Sequence, residues 1–351
     1  MTAEKVLLPD VYEAEPPPPS AIGRPDVIDA CSKAAEAEDA DLGRCANSPL
    51  DIPWPGWKRV MRRTAREMVS DRVSLVAAGC AFYGTLALFP AISMLLSIYG
   101  LVFDPVTVEP HLVVLQDLLP PAAFTLISQR VHELVIKPPG TLTASLLVSV
   151  AITLWSSATG TKSILSALNV AYEERERRSF VRFQATAFGM TLVALVGAAL
   201  GLALVVGMPT ALAPFGMTDY TALLLRVASL GVVLIFVVAS LSLLYRFGPC
   251  REAAQWQWVT PGSLVATVLW LVASVLFSFY VGHLSAYDAT YGSLGAVVGV
   301  MMWFYVTVYV VLLGAELNAE LELQTARDST DGPPRPLGRR GAYVADHVAR
   351  N

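Results

Sequence analysis

Six long stretches of this chain carry no charged side chain. They lie between Arg72 and Asp104, Lys137 and Lys162, Arg182 and Asp219, Arg226 and Arg246, Glu252 and Asp288, and Asp288 and Glu316. A helix needs about 20 apolar residues, at a rise of roughly 1.5 Å each, to cross the hydrocarbon of a bilayer. Each stretch holds that many or nearly so. The pattern predicts an all-α, polytopic membrane protein: a bundle of six transmembrane helices at about 75–103, 140–160, 184–208, 224–245, 259–282 and 290–314.

Composition agrees, with 54% hydrophobic and 15% charged residues in a chain of 351. The formal charge of −4 is unevenly spread, because residues 1–50 hold ten Asp or Glu against four Lys or Arg. The basic residues sit beside the apolar stretches and form no separate domain, which speaks against a nucleic-acid partner. Membrane lipids are the expected surroundings. Cys31, Cys45, Cys80 and Cys250 are scattered and show no disulfide framework or metal-ligand spacing.

Three regions are expected. Residues 1–55 form an acidic, Pro-rich leader with Pro16–Pro19 and an acidic tract at Glu36–Asp41, too polar to offset its ordering entropy and so read as disordered. Residues 56–322 form the membrane domain with its juxtamembrane helix. Residues 323–351, with Pro333, Pro334 and Pro336, are read as a second disordered tail. No apolar run of the signal-peptide kind lies in the first 50 residues.

Orientation follows from Lys and Arg in the flanks. Lys58, Arg59, Arg62, Arg63, Arg66 and Arg72 precede the first span; Lys162, Arg175, Arg177, Arg178 and Arg182 follow the second; Arg246 and Arg251 follow the fourth. The alternate loops are poor in such residues, so both ends are expected in the cytoplasm. From Trp57 to Arg72, the apolar residues Trp57, Val60, Met61, Ala65, Met68 and Val69 recur at helical spacing among cations, the pattern of an interfacial amphipathic helix on the inner leaflet. A second such helix is expected after Pro120–Pro121, with Phe124, Ile127, Val131 and Leu134 on one face, either covering the rim or acting as a lid.

Individual residues stand out against this background. Pro90 in mid-span is expected to kink the first helix, as a packing shape or a gating joint. Arg226 near the outer end of the fourth span either snorkels or contacts a ligand. Gly197/Gly201 and Gly295/Gly299 are small pairs suited to close helix packing or to a homo-oligomer. Tyr287, Asp288 and Tyr291 read as an interfacial anchor with an N-cap, or as a vestibule that also includes Thr290. Glu316 and Glu320 lie four apart at a helix C-terminus, where the macrodipole disfavours acids. They are either ion-paired to the Arg175–Arg182 cluster or a solvated exit from the membrane. Asn318 is read as an inter-helix hydrogen bond or interfacial polarity.

Several of these segments together resemble one family. Residues 81–90 (AFYGTLALFP), the run 166–172 (SALNVAY) with Asn169, followed by Glu176, Arg178, Ser179 and Phe180, the segment 287–295 (YDATYGSLG) with Gly292, and 313–320 (LGAELNAE) resemble the YihY/BrkB family of bacterial inner-membrane proteins, which also carries the older label ribonuclease BN. Asp288 stands where the family pattern has Asn or Ser. The resemblance covers about residues 58–322 and implies six spans, cytoplasmic ends, a virulence-factor-like assignment and a transport role without an established substrate.

Catalysis finds little support in the residues. His111, His132, His283 and His347 form no ligand pair, and no phosphate-cradling loop or nucleophile elbow is present. No catalytic residue, metal or cofactor is therefore expected. The reading is a transporter-like membrane protein for a small or lipid-like solute, with a non-transporting envelope scaffold as the alternative and a ribonuclease as the least favoured. A proton-driven carrier is disfavoured by the lack of a mid-depth carboxylate.

Overall fold

The structure, a computed structural model, describes residues 42–102, 143–202, 219–283 and 293–349. A 3-10 turn at Pro49–Asp51 leads into α1 (Trp54–Ser70). Then follow α2 (Val73–Val102), α3 (Thr143–Ala171), α4 (Phe180–Leu202), α5 (Asp219–Phe247), α6 (Trp256–His283) and α7 (Ser293–Gln324), with a last turn, α8, at Tyr343–Asp346. No named strand occurs among the described residues. Each of α2 to α7 coincides with one charge-free stretch. Arg72, at φ 50°, breaks α1 from α2, and Glu173, at φ 53°, follows the end of α3. Such left-handed conformations cost a non-glycine residue energy and mark fixed chain reversals.

The six long helices close into a ring in chain order, with α7 packed back against α2. Helix α7 is the hub, touching α1, α2, α3 and α6. Two glycine contacts let backbones approach. A Cβ on Gly160 would lie 3.3 Å from the Gly84 Cα, and one on Gly262 would strike the Gly314 carbonyl. The glycine pairs singled out by spacing fare differently. Gly197 receives the Phe236 ring, whereas Gly201 and Gly299 have nothing near them. Spacing marks a small-residue face but not whether a neighbour lies on it.

Much of the helix surface is apolar and exposed. On α6, Val268, Val272, Val275 and Phe279 recur at intervals of three or four, and Val275 is 70% exposed. So large an apolar surface marks contact with lipid. Among the described residues four helical stretches are long and apolar enough to cross a membrane: Phe180–Gly201, Val227–Phe247, Trp256–Tyr280 and Val297–Gln324, with a shorter apolar stretch at Val73–Leu88. Pro90 lies within α2 and Arg226 within α5. Residues 1–41, the helix expected after Pro121, and Tyr287, Asp288, Tyr291 and Gly292 lie outside the described residues.

One end of the ring is capped by α1, the chain before it and the C-terminal segment. Here the structure departs from the expected disorder. Leu42, Ala46 and Ile52 are buried, and so are Ser329, Thr330, Ala342, Val344 and Ala345. The C-terminal segment docks through main-chain bonds: Asp331 N donates to Ala253 O, Glu252 N to Gly341 O, and Ala349 N to Leu323 O. Arg340 donates to the carbonyls of Ala326, Arg327, Arg335 and Ala345. A Pro-rich, polar segment needs little apolar burial when its backbone is satisfied in this way. The expected absence of structure from 323 onward, and in 42–55, is corrected accordingly.

Candidate functional site: an ionic network at the capped end

Helix α7 does not stop at the expected border near 314 but continues to Gln324, carrying Glu316, Asn318, Glu320 and Glu322 into the cap. All four are buried. Asn318 bridges to α6: its Oδ1 accepts from Gly262 N at 2.8 Å, and its Nδ2 donates to Val259 O at 3.0 Å. Those groups lie beside Pro261, which has no N–H of its own to contribute to the first turns of α6. Asn318 thus ties α7 to α6 through both atoms of its amide.

Glu320 is bound by Arg63 of α1, through Nε to its carboxylate and through Nη2 to its carbonyl at 3.1 Å. Glu322 faces the other way. Arg251, from the loop between α5 and α6, meets it with two donors at 3.0 and 2.7 Å, and both side chains are fully buried. Ser329 Oγ adds a third bond to Glu322 at 2.7 Å. The Arg251 guanidinium lies 4.2 Å above the buried Tyr172 ring, a cation–π seat that replaces part of its lost hydration.

Among the described residues no cation pairs with Glu316. Its Oε1 is buried without a hydrogen-bond partner, and its carboxyl group faces Asp71, at the turn between α1 and α2. Burial, reinforced by the negative charges of Glu67 and Glu173, pushes the Asp71 carboxyl up to about 6. The expected pairing of Glu316 and Glu320 with the Arg175–Arg182 cluster is thus corrected. Positions four apart do share a face, but that face is covered by α1, so Arg63 is the cation within reach.

The 175–182 segment has its own partner. Arg178 grips Glu176 with Nε at 2.8 Å and Nη2 at 2.7 Å, and also donates to Gly248 O at 2.9 Å. Those hydrogen bonds hold the Glu176 carboxyl down at about 2. Asn169 completes the arrangement, donating to Glu176 at 3.0 Å and accepting from Cys250 N at 2.7 Å. Asn169, Glu176 and Arg178 therefore fasten the loop after α3 to the loop after α5. The structure brings five of the singled-out residues, Asn169, Arg178, Glu316, Asn318 and Glu320, to one end of the ring.

Arg63 and Arg251 entered the sequence analysis only as flanking cations and Tyr172 only within the 166–172 run, while Asp71, Glu322 and Ser329 were not singled out. The run 313–323 (LGAELNAELEL) held the available signal, since acids alternate there with apolar residues inside a continuing helix. Among the described residues no group of three His, Cys, Asp or Glu side chains is placed to hold a metal ion. The arrangement is a set of buried charge pairs and amide bridges that clamp chain segments together.

A ring of long apolar helices, exposed along their flanks and clamped by polar groups at one end, defines an integral membrane protein with several helical spans. The chain belongs to the virulence factor BrkB family, whose model matches residues 64–337. It is 30% identical to a ribonuclease-like protein, YfkH, of Bacillus subtilis over 249 residues, covering 70% of this chain and 88% of that one. A UPF0761 membrane protein of Alkalilimnicola ehrlichii is 27% identical over 88% of this chain and 69% of its own length. Another, from Chlorobium phaeobacteroides, is 28% identical over 78% of this chain and 59% of its own. No solved structure matches.

Proposed function

We propose that this chain is a transporter-type protein of the bacterial inner membrane, crossing it six times, and that the capped end is its closed cytoplasmic gate. The reading is supported chiefly by the fully buried Arg251–Glu322 pair, which ties the hub helix α7 to the loop between α5 and α6. A static cap gains little from buried charges, because well-packed apolar residues of similar volume serve equally or better. Ion pairs that can be exchanged for water suit a contact that opens and closes. The charge-free stretches supply no mid-depth carboxylate, which favours facilitated movement of an amphipathic or lipid-like solute over ion coupling. The ribonuclease-like name is that of the Bacillus relative. For this chain RNA cleavage is not proposed.

The test needs no known substrate. Leu312, in the apolar core near the cap, is replaced by Cys in a background without the natural cysteines. A membrane-impermeant maleimide should label it slowly from the cytoplasmic side, and faster when Glu322→Gln weakens the clamp in protein that is still folded at the labelling temperature. The scaffold reading is favoured by the tight apolar cluster of Leu168, Tyr245, Leu312 and Ala315. It expects no labelling in either protein, and that result would exclude the gate.

A further inference from the structure

Helix α1 has two working faces. Gly56, Val60, Thr64 and Met68, four apart, are buried, with Val60 against Leu317 and Leu321 of α7. Trp57 is half-buried on the same side. This revises the sequence expectation in which Val60, Met61, Met68 and Val69 shared one lipid-facing stripe. The outward face is different in kind. It presents Trp54, Met61 and Val69, the first 70% and the last 77% exposed, among the exposed cations Lys58, Arg62 and Arg66. Lys58 Nζ lies 5.7 Å from the Trp54 ring centroid. Beyond the Arg72 turn, Leu75 at the start of α2 is also exposed.

We infer that the outward face of α1 is a binding site for anionic phospholipid headgroups of the leaflet on the capped side. Three features select that occupant. The cations match phosphate in charge, and the indole and aliphatic side chains between them suit the acyl boundary just beneath the headgroups. Only the short Arg72 turn separates α1 from α2, whose Leu75, Phe82 and Leu86 are exposed apolar residues, so the site lies close to the bilayer. A soluble polyanion would meet the same cations but leave Met61 and Val69 bare to water.

The inference is tested on the full-length protein in neutral detergent micelles. Phosphatidylglycerol brominated near the headgroup is titrated in, and Trp54 emission is isolated by subtracting the Trp54→Phe variant. Saturable quenching is expected with phosphatidylglycerol and not with brominated phosphatidylcholine. Lys58→Gln, Arg62→Gln and Arg66→Gln should each raise the midpoint, roughly fivefold per cation removed. Arg62→Lys and Arg66→Lys should leave it in place, as should Arg177→Gln in a different loop. These are exposed positions, and an unchanged melting temperature confirms that each variant is folded. Equal quenching by both lipids, or a midpoint unmoved by the Gln substitutions, would overturn the inference. So would displacement of the lipid by single-stranded RNA at the same salt concentration, which would assign the face to nucleic acid.

Discussion

At the scale of single residues, the four polar positions of the last turns of α7 carry different loads. Removing one partner of a fully buried pair strands the other charge, at a cost of about 3–5 kcal/mol. Glu322→Ala should therefore lower the melting temperature of the purified protein more than Glu176→Ala, whose carboxylate is partly exposed. Thermal unfolding in detergent checks this, and equal shifts would contradict it. Asp71 gives a second expectation with a definite sign. Its folded pKa of about 6 lies above the unfolded value near 3.8, so the folded state holds the proton longer. Stability linked to Asp71 is then greatest below the unfolded value and falls as pH rises through about 6. Asp71→Asn, beside Glu67 of α1, Glu173 of the loop after α3 and Glu316 of α7, should raise stability at neutral pH and flatten its change between pH 4 and 7. A variant less stable than the parent at pH 7 would show that the Asp71 carboxylate has a favourable partner. The shared face of Glu316 and Glu320 was legible from their spacing. Their neighbours were not, because which helix covers a face is decided by tertiary packing.

At the scale of elements, the charge-free stretches located all six long helices but set some ends short. Helix α3 runs to Ala171 and α7 to Gln324, both well past the expected borders. Hydropathy marks where lipid ends, whereas a helix continues while its polar residues find partners, as Asn169, Asn318 and Glu322 do. The C-terminal segment shows the same effect more strongly. Its composition reads as disordered, yet its backbone is bound by the 252–255 loop and by the N-terminal segment at Arg44. Truncation after Gln324 removes Ser329 from Glu322 and Asp331 from Arg246, which it meets at 2.7 Å. The truncated protein should melt lower and be cut by protease in the loop after α5. An unaltered melting curve would mean that the segment only rests on the cap. Gly262→Val should separate α6 from α7 and destabilise the protein more than Gly299→Val, which meets open space.

At the scale of the whole molecule, the ring closes because α7 returns to α2, and the described segments before α1 and after α7 lie together on the capped side. The Lys and Arg bias supports the proposal that this side faces the cytoplasm. Reporter fusions after residues near 50, 175, 250 and 330 should report cytoplasm, and those near 120, 215 and 286 the opposite side. Inversion at two of these sites would end the six-span topology. Membrane class was legible because bilayer thickness writes itself directly into the length of apolar stretches. The clamp was only half legible, since Arg251 and Glu322 lie 71 positions apart and nothing local links them. The claim that the capped end is a gate is tested most directly by pulsed electron resonance distances in lipid nanodiscs. Nitroxides at Arg62→Cys on α1 and Arg177→Cys on the loop after α3, in a background without the natural cysteines, report across the cap. A gate predicts a main closed distance with a second, longer population that grows when Glu322→Gln weakens the clamp. A single narrow distance, unchanged in that variant while the protein stays folded, would contradict it.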